Sequence, residues 1–144
     1  METDPHLSIE LIWEDVHVEE LCITASNGEY SGRAKVYFAY GDIAALAEAI
    51  RGFPKTPSQV ETFAGGTDRM ARTKFVFRCL DQLGHAVVRI SLAEFAYQNE
   101  YPPIMNEVEF ELRFDASALD VFCQELAAVG MRTRKRAVLR GITE

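Results

Sequence analysis

Residues 107–114 alternate without a break: Val108, Phe110, Leu112 and Phe114 stand against Glu107, Glu109, Glu111 and Arg113. Successive side chains of a strand point to opposite faces, so this stretch reads as a strand with one apolar and one charged face. Asp115 follows and marks a helix start, because its short carboxylate can accept from the free N–H groups of a first turn. Leu119, Phe122, Leu126 and Val129 then fall on one helical stripe, and Gly130 offers a left-handed close. A half-solvated strand running straight into an amphipathic helix points to an antiparallel sheet with helices on one side.

The same two patterns recur along the chain. After a frayed tail over residues 1–6, Leu7, Ile9, Leu11 and Trp13 alternate with Ser8, Glu10 and Ile12, and Glu14-Asp15 interrupts the run as a turn or bulge. Residues 20–26 form a second strand. Asn27-Gly28 signals a hairpin turn with positive φ at both central residues. Residues 32–40 return with Ala34, Val36, Phe38 and Tyr40 inward and Arg33, Lys35 and Tyr37 outward. Asp42 opens a helix with the stripe Ile43, Leu46, Ala47, Ile50 and Phe53, ended by Gly52 and Pro54.

Residues 54–68 are an irregular connector that ends in a flexible Gly65-Gly66 loop, with room for a short strand around 59–63. Strands follow over 71–80 and 85–95, separated by the turn Asp81-Gln82-Leu83-Gly84. Residues 131–144 read as a basic tail, with room for a last short strand around Ala137–Leu139. The two halves echo each other: antiparallel strands, an aromatic residue and an aspartate (Tyr40-Gly41-Asp42; Phe114-Asp115), then a helix of matching apolar spacing. Hairpin-plus-helix units also arise without duplication.

The expected fold is therefore a single α+β domain over residues 1–144. It has an antiparallel sheet of about six strands and two amphipathic helices, 42–52 and 115–129, packed on its one apolar face. A chain of 144 residues can bury a core without disulfides or metals. Cys22, Cys79 and Cys123 are far apart and form no C-x-x-C pair. Cys79 and Cys123 read as small buried hydrophobes, a usage that suits a reducing compartment. The N-terminus has no basic region followed by an apolar run, and no apolar run is long enough to span a bilayer, so a cytoplasmic protein is expected. The net charge of −7 argues against a general nucleic-acid-binding domain.

Chemistry-bearing residues are few. Glu107, Glu109 and Glu111 project from one strand face roughly 6.6–6.8 Å apart, a spacing some glycosidase carboxylates use. The plain alternative is a solvated face whose carboxylates meet Lys74, Arg78 or Arg89 across strands. His6, His17 and His85 have no metal-ligand spacing, and no G-x-S-x-G, H-E-x-x-H or P-loop occurs. No catalytic residue, metal or cofactor is implied. Two binding candidates remain. Tyr97, Tyr101, Pro102 and Pro103 form a loop whose aromatic rings suit an interface with another protein. Arg132, Arg134, Lys135, Arg136 and Arg140 suit nucleic acid or an acidic partner, or else fold back on Glu10, Glu14 and Glu19. A free edge at Leu7–Trp13 can pair across a homodimer.

The run Asp81-Gln82-Leu83-Gly84-His85-Ala86-Val87-Val88-Arg89-Ile90-Ser91-Leu92, with the alternating strand and the Leu119/Phe122/Leu126 helix after it, resembles a group of small bacterial domains of unknown function. Some acidic α+β domains of this style resemble immunity proteins, which neutralise partner toxins. The acidic charge, the lack of catalytic motifs and the aromatic loop point to a non-catalytic protein-interaction module, of which an immunity-like protein is the form the resemblance implies. The other classes the sequence leaves open are a small-molecule or enzymatic domain with a pocket between sheet and helices, and nucleic-acid association through the basic stretch.

Overall fold

The computed structural model describes residues 4–67, 69–97 and 104–143, with the backbone alone for residues 96 and 97. In chain order it has β1 (His6–Glu14), β2 (Val18–Ser26), β3 (Ser31–Ala39), α1 (Asp42–Ala49), β4 (Val60–Gly66), β5 (Ala71–Cys79), β6 (His85–Tyr97), β7 (Ile104–Asp115), α2 (Ala116–Gly130) and β8 (Arg136–Arg140). The protein is α+β with antiparallel pairing and two helices. The expectation of one sheet of about six strands is corrected: eight strands form two sheets of four, β3-β2-β1-β8 and β4-β5-β6-β7. Alternation tells which face of a strand is buried and not which strand it pairs with, so one sheet and two leave the same pattern.

The two added strands, β4 and β8, are the ones that cross between the halves. Each half is a three-stranded meander, a helix and a final strand. The strand after α1 joins β5, and the strand after α2 joins β1. The β1–β2 and β5–β6 turns match as well. Asp15 Oδ1 accepts from the His17 and Val18 N–H groups, and Asp81 Oδ1 accepts from those of Leu83 and His85. Because β8 covers it, β1 lies inside its sheet, and its edge is not free for pairing.

The first sheet meets the second along β3, which packs on β4, β5 and β6. Phe38 of β3 stacks on Phe63 of β4 at 5.3 Å, and Phe63 in turn stacks on Phe75. Gly65 makes this possible: a Cβ there would lie 1.9 Å from the Phe38 ring. The Gly65-Gly66 pair therefore ends a strand and is no loose loop. The antiparallel helices fill the remaining side, with the stripes Ile43/Leu46/Ala47/Ile50 and Leu119/Phe122/Leu126/Val129 buried as expected. Phe77, Phe114 and Phe122 are wholly buried between sheets and helices. Among the described residues no helix is long and apolar enough to cross a membrane.

Several helix ends differ from expectation. α1 stops at Ala49, short of Gly52. Asp115 makes no side-chain cap; its carboxylate lies 3.8 Å from His85 Nε2 instead. Gly130 stays inside α2, because a Cβ there would sit 3.1 Å from Ala44 on α1, so it marks the close approach of the helices. The left-handed residue is Arg132 (φ 64°). Its N–H donates to Val129 O and the Thr133 N–H to Ala128 O, the bonds of a Schellman close with arginine where glycine is usual.

The β2–β3 hairpin also differs in its turn. Ser26 pairs with Ser31, so the loop has four residues, and of Asn27 and Gly28 only Gly28 has positive φ. Asn27 Oδ1 accepts from the Glu29 and Tyr30 N–H groups, and its Nδ2 donates to Glu111 O on β7.

Candidate interaction surface

The outer face of the first sheet is where local structure departs most from the alternation. Leu11 pairs with Leu21, but Trp13 pairs with Glu20, so one extra residue, Ile12, is inserted as a bulge. That insertion turns Trp13 away from the inward face expected for it and onto the solvent face, where it is 50% exposed. Glu20 is in turn opposite Tyr37, itself 37% exposed. Trp13, Glu20 and Tyr37 thus form one cross-strand row over three strands. Exposed Ile12 and Val16 lie nearby at the hairpin end.

The next rows on this face are set by register: Lys35, Cys22, Glu10 and Arg136, then Arg33, Thr24, Ser8 and Val138. Arg33 and Lys35 on β3, with Arg136 and Arg140 on β8, put four cations on the two flanks of a face whose carboxylates are Glu10 and Glu20. The chain as a whole carries −7.

The basic stretch divides. Arg132 turns inward: its Nη2 donates to Glu19 Oε2 at 2.5 Å, and Nη1 to Val129 O at 3.0 Å. Its Nε is in ion-pair contact with Glu14 without hydrogen-bond alignment. Its guanidinium lies 5.1 Å from the centre of the Tyr40 ring. Burial pulls the Arg132 pKa down, but Glu19 and Glu14 outweigh it and hold the group above its ordinary value. Arg134 pairs with Glu125 at 3.0 Å, and the Lys135 carbonyl accepts from Leu11 N–H. Arg136 and Arg140 frame β8 and point outward. Tyr97 ends β6 as backbone only, and Tyr101, Pro102 and Pro103 lie outside the described residues.

The glutamate row of β7 faces arginines. Arg78 Nη2 bonds Glu111 at 2.6 Å, Arg89 bonds Glu109 and stands 3.8 Å from Glu111, and Arg72 is 3.8 Å from Glu107. Hydrogen bonds from Arg89 and Ser91 hold the Glu109 carboxyl below the usual carboxylate range. A general acid needs the opposite shift. Beside this row is an open groove of about 720 Å³ lined in part by Gly66, Arg72, Lys74, Ser91, Glu107 and Glu109. It lies on the outer side of the second sheet, away from the phenylalanine-filled space between sheets and helices.

His85 Nδ1 bonds Asp81 Oδ2 at 2.6 Å, and Asp115 lies on the other side of the ring. The two carboxylates flank the imidazole and converge on no common point. Among the described residues no group of three or more His, Cys, Asp and Glu side chains is arranged to hold a metal ion. The three cysteines are free and half-buried; Cys123 Sγ donates to Ala47 O, and burial pushes the Cys79 and Cys123 thiols up.

Of these features, sequence reasoning missed the Trp13–Tyr37 row, because a bulge within an apolar run leaves no composition signal. No known protein-family model, curated protein or solved structure matches the chain.

Proposed function

We propose that the protein is a non-catalytic protein-interaction module whose contact surface is the outer face of the first sheet around Trp13 and Tyr37. The observation that carries this reading is the Ile12 bulge, which holds a half-exposed tryptophan on the sheet face in one row with a partly exposed tyrosine two strands away. Trp, Tyr and Arg are the side chains that dominate binding energy at interfaces. Covering the exposed half of one tryptophan contributes about 2–3 kcal/mol. Arg33 and Lys35 beside Tyr37 favour a partner with carboxylates around an apolar contact. A toxin partner, as for immunity proteins, is the finer form of this reading; it rests on the resemblance of residues 81–92 and on the acidic balance. The test is recovery of the tagged full chain from its source cell with mass spectrometry, beside turnover assays on the pure protein. A stoichiometric protein partner supports the module; turnover without any partner contradicts it.

The second reading is nucleic-acid association through residues 132–140. Its support is narrower than the sequence suggests, since Arg132 and Arg134 are committed to Glu19, Glu14 and Glu125 and Arg136 and Arg140 remain on the surface. Removing residues 131–144 would take Ala137 and Leu139 from the core, so the test is Arg136→Gln and not truncation. Binding through this arginine predicts a shallower salt dependence in the variant.

A further inference from the structure

We propose that the outer face of the first sheet also carries a pocket for a phosphate-type oxyanion, formed by His6, Ser8, Thr24, Arg136 and Arg140. The register builds it. His6 lies opposite Arg140, and Ser8 lies between Thr24 and Val138, so these side chains share one face at one end of the sheet. They line a concavity of about 150 Å³, with Val138 between the two arginines. Its size suits one small anion and its water.

Three observations make this more than a cationic patch. Ser8 is 9% exposed, and among the described residues its hydroxyl makes no hydrogen bond, so it is open to a ligand. His6 is 4% exposed; Nδ1–H donates to the Asp4 carbonyl at 2.7 Å, so in the neutral ring Nε2 is an acceptor, which suits the P–OH group of a protonated phosphate. The Arg136 guanidinium makes no ion pair among the described residues, and its own carbonyl is tied to Arg134 Nε at 2.7 Å. Glu10, opposite Arg136 in the register, is not part of the lining.

A carboxylate has two oxygens and a single charge. A phosphate group offers more acceptors to the two hydroxyls and the Arg136 guanidinium fork gathered here, and arginine binds it bidentately. The pocket is some distance along the sheet from Trp13, and the inference does not depend on the protein-interaction reading.

The test is titration of the full chain with inorganic phosphate at constant ionic strength, followed by amide shifts and calorimetry. The expected result is saturable binding with shifts at His6, Ser8, Thr24 and Val138. Arg136→Gln weakens it at least tenfold, whereas Lys74→Gln, the same charge change on the other sheet, stays within twofold. Thr24→Val, which keeps the side-chain shape, weakens it severalfold and serves if the arginine variant unfolds. Acetate binds at least tenfold more weakly than phosphate. O-phosphoserine competing at the same residues extends the assignment from the free ion to its esters. Shifts that rise linearly without saturation, equal losses in Arg136→Gln and Lys74→Gln, or equal binding of acetate would each overturn the proposal.

Discussion

Arg132 bonds Glu19 at the place where the two helices bring opposite ends together. Glu19 is fully buried, and its Oε1 accepts from Ile43 N–H in the first turn of α1 at 3.4 Å, while Arg132 bonds the last carbonyls of α2. A carboxylate thus sits at the positive end of one helix dipole and a guanidinium at the negative end of the other. Glu14 and Glu19 face each other across β1 and β2, and Arg132 bridges both.

Arg132→Ala is expected to destabilise the protein by about 3 kcal/mol, because it leaves a buried carboxylate uncompensated opposite another. Arg132→Gly loses the same ion pairs but relieves the left-handed backbone, and should be about 1 kcal/mol less harmful than alanine. Urea unfolding of the two variants measures the gap. Equal stabilities would contradict the strained close, and a neutral alanine variant would contradict the buried pair.

Gly65→Ala is expected to cost about 2–3 kcal/mol or more, since its methyl would overlap the Phe38 ring that joins the sheets. Thermal unfolding against Gly28→Ala, where a Cβ meets nothing within 4 Å and only the positive φ is strained, separates crowding from conformation. If Gly65→Ala costs no more than Gly28→Ala, the sheets do not meet at Phe38.

Hydrogen bonds from the His85 side chain and the Leu83 N–H hold the Asp81 carboxyl below its ordinary value of 3.8. A depressed carboxyl contributes stability that is fully present above the ordinary value and is lost as pH falls through the folded one. The stability difference between wild type and Asp81→Asn should therefore be constant from pH 5 upward through this group and shrink in acid below about pH 4. Unfolding curves at stepped pH check this. A difference that grows as the pH falls below about 4 would reverse the sign and the assignment.

Because β4 and β8 each join the other half's sheet, residues 1–69 and 70–144 should fold together and not apart. Expressed separately, the fragments lack a strand each and are expected to be poorly folded; mixed, they should associate one to one and regain the native circular dichroism. Two independently folded monomeric halves would contradict the exchange of strands.

Much of the architecture was legible where patterns were long. The stripes of α1 and α2 and the alternation in β5, β6 and β7 follow from burial of one face, so sequence carries them directly. β4 and β8 were only suggested, since one contains Gly65-Gly66 and the other is five residues flanked by arginines. Their partners lie far away in sequence, and strand propensity has no bearing on pairing choice. Asp115 and Gly130 look like helix caps by local chemistry, but tertiary contacts claim them for His85 and Ala44. The interaction face was hidden for a related reason. Trp13 continues the apolar phase of Leu7, Ile9 and Leu11, and only the inserted residue at Ile12 reverses its direction.

The most direct measurement is a quantitative pull-down from the source cell with the tagged full chain, the Trp13→Ala/Tyr37→Ala double variant, and Lys74→Ala on the other sheet as control. Interaction through the first sheet predicts a partner recovered stoichiometrically by wild type and by Lys74→Ala and lost at least tenfold with the double variant, with all three chains equally stable. Equal recovery by all three, or a partner lost with Lys74→Ala alone, would contradict it.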